Sequence, residues 1–579
     1  MFKIKFNDNR LRLYLILIGV LFLASFFTYR LFDLQIVRGE TLRTRANNQF
    51  QGTIRPHFNR GSIFFTTLEG DLLPAAILQQ NFSIIIDPRL IKQPAMVYDL
   101  LDNVLDIDEE FFNDRAGRKE TAYQLIAQDL TEEEAEAVKN LNIRGVSVRA
   151  DKKRHYPAGR TASHVLGLIG YDGYNLEGRY GLEKAFNHIL THEQSGTFSS
   201  FFAEIFFGWQ KDKEKPSDNQ GDLVLTIEPT VQRRLEKEMR ETVEKFQAKN
   251  AGAVIMDPRD GKILGMMAWP DFNPGESQSD LAVLSNPLVE RVFEMGSVFK
   301  PLTMVAGFDA GVVSPETTYY DAGSIVLDGF RIHNYDKKSR GTVDMQKIID
   351  DSLNTGVVFI MQQLGREVFR EYMYNFGLGE TTGIELPNEV KSLVSNLQSP
   401  RQVEYATVSF GQGIAVTPLA LTRAFATLAN GGFLITPYII EKINYRDGRE
   451  ELLDRPSPIR VLSDKATEEI TQILVNAFDS ALLGGKYKMT NYSIATKTGT
   501  AQIAQTTGRG YEESRNLHSF FGYYPAYEPQ FLVFMYLIEP QGEGVRFASD
   551  TLVEPFVSLA DFLLSYYEVP PDRGLVNNQ

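Results

Sequence analysis

From Leu13 to Tyr29 the chain reads LYLILIGVLFLASFFTY without one charged residue. That run predicts a helix near the lower limit for crossing a bilayer. Lys3, Lys5, Arg10 and Arg12 precede it, and the positive-inside bias then predicts a cytoplasmic tail over 1–12, an anchor over 13–32 and an external body. A cleaved leader has a similar charged and apolar beginning. Here no small-x-small site follows, and Arg30, Leu31, Phe32 and Asp33 read as more helix.

Beyond the anchor, 33–220 lacks a long helical period and reads as a mixed module. Asn81 to Asp87 is strand-like and stops at Pro88. Thr131 to Leu141 is a charged helix opened by a Thr131/Glu134 capping box. Phe198, Phe201, Phe202, Phe206, Phe207 and Trp209 form an aromatic cluster that suits a local core, with a membrane-partner surface as the sharper alternative. The charged stretch 211–221 reads as a boundary.

A second region over 221–570 then begins, with 571–579 as a tail. Asp222 to Ile227 predicts a strand and Pro229 to Lys249 an amphipathic helix. Ala251 to Asp257 and Lys262 to Ala268 flank Pro258-Arg259-Asp260-Gly261, a hairpin pattern. Ser519 to Tyr524 and Phe531 to Ile538 supply further strands, and an apolar helix closes the region over 551–567. The expected fold is α/β (α+β): one transmembrane anchor, a mixed pedestal, and a mainly antiparallel sheet flanked by helices.

With 579 residues the chain exceeds one ordinary core, and 43% hydrophobic with 23% charged residues describes a folded protein. A net charge of −14 disfavours nucleic acid as a partner. The absence of cysteine excludes disulfides, thiolate chemistry and Cys-based zinc sites. His188 and His192 are four apart but lack the glutamate of a metalloprotease helix, so salt-bridged or surface histidines are expected. No Walker A pattern is present. Neither metal nor cofactor is therefore expected.

Ser297-Val298-Phe299-Lys300 places a candidate nucleophile three residues from a candidate base. Gly296 precedes it and an apolar run follows Pro301, which predicts a helix starting near the serine with Ser297 and Lys300 on one face. Helix-terminal N–H groups would also meet a developing oxyanion. Ser352-Leu353-Asn354 follows, at the head of an apolar segment, and suits a polar pair facing a cleft. Ser217-Asp218-Asn219 spells S-D-N but precedes the nucleophile in the charged stretch, and is set aside. Lys497-Thr498-Gly499-Thr500 follows a short apolar run and is expected to end a strand lining the cleft, open to β-addition by an extended peptide. Gly499 would let a ligand approach the backbone, and the Thr500 and Ser297 N–H groups would form an oxyanion hole.

In this order, S-x-x-K, S-x-N and K-T-G resemble the signature set of serine β-lactamases and penicillin-binding proteins. The chain as a whole resembles class B penicillin-binding proteins. Arg60-Gly61-Ser62-Ile63, Arg154-His155-Tyr156-Pro157, His164-Val165-Leu166-Gly167 and Gly181-Leu182-Glu183-Lys184 are similar to motifs of that family's N-terminal module. Thr226-Ile227-Glu228 with Gln232, the segment Phe410 to Pro418, and Ala429-Asn430-Gly431-Gly432 resemble motifs of its catalytic domain. Gly383-Ile384-Glu385-Leu386-Pro387 and Phe410 lean toward the division-type (FtsI-like) branch. Departures are Phe65 where the family has Asp, Met295 where it has Pro, and Leu419-Ala420 after the threonine-proline pair.

The resemblance implies a membrane-anchored D,D-transpeptidase of the bacterial cytoplasmic membrane, with its catalytic domain outside. It would cross-link peptidoglycan stem peptides in septal or lateral wall synthesis and be acylated by β-lactams. It implies Ser297 as nucleophile, Lys300 as base, Ser352 as proton relay, Asn354 as a holder of Lys300 and substrate amide, and Lys497 with Thr498 as carboxylate binders. A polytopic SEDS-type glycan polymerase (FtsW/RodA-like) is the implied partner. A β-lactamase, a β-lactam sensor and a non-catalytic scaffold are the alternatives. The stretch Ala501 to Arg515 reads as a gating loop or a plain hairpin.

Overall fold

The structure is a computed structural model that describes residues 9–33, 59–172, 175–191, 219–504 and 510–573. The aromatic cluster from Phe198 to Trp209 and the pair Ser217-Asp218 lie outside the described residues. Helix α1, Asn9–Phe32, continues through the charged Arg30 as its sequence predicts. Its segment Leu15–Phe32 has a mean hydropathy of 2.1 and packs against nothing described, the profile of a helix long and apolar enough to cross a membrane.

The pedestal is built on β1 (Ile63–Thr66) and the long β2 (Leu72–Ile86). Strand β3 (Gln124–Leu130), helix α2 (Glu132–Asn140) and strand β4 (Val146–His155) complete its outer part. The Thr131/Glu134 capping box forms: the Thr131 hydroxyl accepts from the Glu134 N–H, and Glu134 Oε2 accepts from the Thr131 N–H at 2.8 Å. Phe65, the departure from the family's aspartate, is a buried core residue of β1.

Strand β5 (Gly221–Leu225) pairs in parallel with β1 and antiparallel with Ile440–Tyr445. One seven-stranded sheet therefore runs from the pedestal across residue 220 into the second region. A sheet continuous across two modules resists their separate rotation, because turning one would break main-chain hydrogen bonds.

Three of the four pedestal motifs converge on one buried ion cluster. Glu183 accepts from Arg60 Nε at 2.5 Å, from Arg154 Nε at 2.6 Å and from the Tyr156 hydroxyl at 3.2 Å. Arg60 also donates to Asn187 Oδ1, Thr191 Oγ1 and the Glu183 carbonyl, and Arg154 to the Gly61 carbonyl. All three ionic side chains are essentially inaccessible. Glu183→Gln strands two guanidinium groups on a neutral partner, so we expect a loss of about 3–5 kcal/mol of stability. Thermal unfolding of the full chain measures it, and an unchanged midpoint would refute this reading of the cluster.

In the second region, helix α3 (Pro229–Phe246) precedes the hairpin β6 (Asn250–Met256) and β7 (Ile263–Trp269). The helices α4 (Lys300–Asp309), α5 (Asn354–Leu364) and α6 (Asp464–Asn476) follow. Strands β8 (Ala495–Ala504), β9 (Tyr511–Tyr524) and β10 (Phe531–Ile538) then lead to α7 (Val553–Tyr566). The five strands form one antiparallel sheet in the order β8-β9-β10-β6-β7. Period-two alternation along β10 sends Val533, Met535 and Leu537 to the core that includes α3 and α7. Leu532, Phe534 and Tyr536 belong instead to the core holding α4, α5 and α6. With both faces covered, β10 is apolar at every position, which explains its unbroken FLVFMYLI. Helix α4 is buried from Lys300 through Phe308, so it is a core helix on all sides and brings Lys300 inside with it.

Candidate active site

Gly296–Phe299 form one 3₁₀ turn that runs directly into α4, so Ser297 sits half-buried one turn before the core helix, as its spacing predicts. Gly296 has φ +66°, a left-handed conformation, and its N–H donates to the Gly411 carbonyl at 3.1 Å. A Cβ on Gly411 would lie 2.2 Å from the Gly296 oxygen. The Phe410–Gly413 loop thus packs backbone to backbone on the nucleophile turn.

The Lys-Thr-Gly-Thr run packs on the same turn. It does not end a strand, as its sequence suggests, but occupies the first half of β8, which continues to Ala504. Strand β8 is the sheet's edge, with its outer main-chain groups unpaired in the sheet. The role expected of Gly499 also changes. A Cβ there would lie 2.5 Å from Ser519 Oγ, 2.8 Å from the Met295 oxygen and 2.9 Å from the Val298 nitrogen. Gly499 is required by the nucleophile turn itself, which fills the space a ligand was expected to use. Ser519 Oγ, on β9, donates to the Met295 carbonyl at 2.8 Å and pins the turn to the sheet.

Lys300 is fully buried. Its Nζ donates to the Ser352 carbonyl and, at 3.0 Å, to Ser352 Oγ. Burial, and secondarily the charge of Lys497, push its pKa well below the ordinary lysine value. Lys497 is itself buried, donates to the Thr498 carbonyl at 3.0 Å, and is lowered by burial to about 8 against the opposing pull of Asp350. Thr500 Oγ1 accepts from the Ala548 N–H at 3.0 Å, tying the edge strand to the segment before α7.

Ser352 adopts φ +50°, a conformation that costs a non-glycine residue about 1–2 kcal/mol. That turn aims both its carbonyl and its hydroxyl at Lys300. Asn354 opens α5 and donates through Nδ2 to the His333 carbonyl at 2.9 Å. The described contacts of Lys300 are with Ser352, so the expected Asn354–Lys300 contact gives way to an Asn354–His333 anchor.

Several residues at the cleft carried no sequence signal. Glu294 accepts from the Gly413 N–H at 3.0 Å and from the Tyr511 hydroxyl at 2.9 Å, joining the nucleophile segment, the Phe410–Gly413 loop and the tip of β9. The Tyr335 ring stands 5.7 Å, edge to face, from Phe547 although both are exposed. Tyr335 follows the segment that anchors Asn354, and Phe547 precedes the Ala548 that anchors Thr500, so this pair joins the two sides of the cleft. The stretch after Thr500 is a hairpin in its described part, with Ala504 paired to Tyr511. Two histidines depart from the expected surface placement. His164 bonds the Val283 carbonyl and His518 bonds Thr551 Oγ1, and burial lowers each to about 4, so both are neutral. Among the described residues no group of His, Asp and Glu could hold a metal ion.

A serine one turn before a buried lysine that bonds a second serine, with an edge strand carrying another lysine, is the constellation expected of a serine acyl-transfer site. The profile of the penicillin-binding protein transpeptidase domain matches residues 251–557, and that of the penicillin-binding protein dimerisation domain matches 59–219. The chain belongs to the class B penicillin-binding proteins, a family of serine D,D-transpeptidases of peptidoglycan synthesis. It is 30% identical over 562 residues to stage V sporulation protein D of Bacillus subtilis, covering 94% of this chain and 84% of that one. It is 29% identical over 435 residues to a probable peptidoglycan D,D-transpeptidase FtsI of Caulobacter vibrioides, covering 73% of this chain and 67% of that one. Penicillin-binding protein 3 of Mycobacterium tuberculosis, solved in complex with aztreonam, superposes with a TM-score of 0.66 at 22% identity, covering 90% of this chain and 99% of that one.

Proposed function

We propose that this transpeptidase joins stem peptides through an ester on Ser297. The buried Nζ of Lys300 carries the proposal, because it donates two bonds to Ser352 one helical turn from Ser297. A neutral amine has two hydrogens and one lone pair. With both hydrogens engaged by Ser352, the lone pair is left for the Ser297 proton. The freed oxygen attacks the penultimate D-Ala carbonyl, and the Ser297 and Thr500 N–H groups receive the oxyanion. As the tetrahedral centre collapses, the C–N bond breaks and the leaving amine takes a proton relayed from Lys300 through Ser352 Oγ. Asn354 orients the donor's amide, while Lys497 and Thr498 hold its carboxylate. The donor lies along β8 as an added strand. An amine from a second stem peptide then attacks the ester carbonyl, gives a proton to Lys300 and forms the new C–N bond as the C–O bond to Ser297 breaks, and Ser297 Oγ takes that proton back. β-Lactams acylate the same oxygen.

The family's architecture supports α1 as a single-pass anchor in the bacterial cytoplasmic membrane, with a cytoplasmic tail over 1–12 and the catalytic region outside. It also supports a polytopic SEDS-type polymerase as the partner that supplies nascent glycan, reached through α1 and the pedestal. The domain reading remains 33–220 as pedestal and 221–570 as catalytic region.

The purified full chain is incubated with a penicillin and digested, and the adduct is mapped by mass spectrometry. The adduct is expected on the peptide carrying Ser297. With donor and acceptor stem peptides, a cross-linked dimer and free D-Ala are expected. An adduct elsewhere would refute the assignment, and rapid hydrolytic turnover of penicillin without dimer would make the protein a β-lactamase.

A further inference from the structure

The left-handed turn at Ser352 is held by residues outside the three motifs. Strand Thr318–Asp321 ends in Asp321, whose carboxylate is fully buried. Asp321 Oδ1 accepts from the Gly323 N–H at 2.9 Å, Asn334 Nδ2 at 3.0 Å and Thr355 Oγ1 at 2.8 Å. Its Oδ2 accepts from the Arg340 N–H at 2.9 Å and from Asn334 Nδ2 at 3.1 Å. Three of these four donor residues, Thr355, Asn334 and Arg340, lead toward the second motif. Thr355 is the residue after Asn354, and its N–H donates to Asn334 Oδ1 at 3.2 Å. His333, whose carbonyl anchors Asn354, is the residue before Asn334. Arg340 Nε donates to Asp351, the residue before Ser352, at 3.1 Å.

Asp321 thus grips both flanks of Ser352-Leu353-Asn354. A sparsely populated backbone conformation persists only where its surroundings over-determine it. Local turn bonds, from the Ser352 N–H to Ile349 and from the Leu353 N–H to Ile348, do not by themselves fix where the turn sits relative to α4. The Asp321 cluster adds restraint from outside, because it ties both flanks of the turn to a separate group of short strands.

We propose that Asp321 is a positioning residue for acylation, acting through Thr355, Asn334 and Arg340 to hold the Ser352 carbonyl and hydroxyl on Lys300. This rests on the reading of Ser297, Lys300 and Ser352 given above. Such a residue moves the chemical step and leaves initial binding alone, because a small displacement of a reacting group lowers the rate without removing a binding contact.

The test uses the full chain and a fluorescent penicillin, with the acylation rate constant separated from the dissociation constant of the initial complex. Asp321→Asn is expected to lower the rate constant about 10–100-fold, with the dissociation constant kept within about threefold. On a Ser352→Ala background the same change should cost less than half as much on a logarithmic scale, because part of what it positions has gone. Thr355→Val removes one arm of the cluster and should show the same pattern more weakly. It decides the matter if Asp321→Asn does not fold. An unchanged rate constant, a loss confined to initial binding, or equal costs on both backgrounds would overturn the proposal. A wild type that is not acylated at Ser297 would instead refute the reading beneath it.

Discussion

Ser297→Ala is expected to abolish covalent labelling by a fluorescent penicillin while leaving the fold intact. The half-buried serine of the 3₁₀ turn presents the hydroxyl that precedes Lys300 on the same face. Ser352, the other hydroxyl near Lys300, receives a bond from Nζ and sits in a left-handed turn. Removing a nucleophile of a concerted set typically costs about 10⁶-fold, so labelling should fall to background over any practical incubation. Stability should move by less than about 1 kcal/mol, since one exposed-side oxygen is lost and no cavity opens in the core. Gel fluorescence with a thermal-unfolding control reads both. Equal labelling of the variant would mean that another residue carries the ester, and the entire alignment of roles would fall with it.

Periodicity revealed most of the frame, because its elements are long and one-sided or wholly apolar. The uncharged run after Arg12, the Thr131 capping box, the 251–268 hairpin and the apolar run from Phe531 all form where their patterns place them. What periodicity could not show is contact between distant segments. No local pattern tells that β5 pairs in parallel with β1, so that one sheet joins both modules. The pedestal motifs were visible as a resemblance, but the reason for three of the four, a single carboxylate shared by two buried arginines, exists only once Arg60, Arg154 and Glu183 meet.

At the site, the sequence nominates candidate residues and leaves their geometry open. A glycine in Lys-Thr-Gly signals close approach, yet whether ligand or protein approaches depends on the packing of Met295 and Ser519, both remote in sequence. The left-handed turn at Ser352 is also invisible locally, since serine is not a residue that favours that conformation. The Asn354–His333 bond had no local signal, because the His333 carbonyl belongs to strands whose only signature is short alternation.

The second large effect is expected at Lys300, where rate and stability should move in opposite directions. Lys300→Met removes the amine that takes the Ser297 proton, and loss of a positioned general base lowers the acylation rate about 10²–10⁴-fold. In the wild type, the second-order acylation rate should rise with pH as Lys300 loses its proton, since burial holds that pKa well below 10.5. It should fall again as pH passes about 8, where Lys497 loses the charge that holds the substrate's carboxylate. Lys300→Met should erase the rising limb and keep the falling one. For stability the sign is reversed. A lysine whose folded pKa is depressed binds its proton more weakly in the native chain than in the unfolded one, so it costs stability at every pH below its folded value. That cost fades as pH climbs toward the unfolded value of 10.5. Methionine fills a similar volume without a charge to desolvate, so the variant should unfold at a higher temperature at neutral pH, with the gain shrinking as pH climbs toward 10.5. A structural lysine would give the opposite result, a less stable protein with acylation lost only in proportion. The burial that makes Lys300 a weak site for a proton in the free enzyme is thus the property that makes it a base for Ser297, and the fold bears that cost in stability for the sake of the rate.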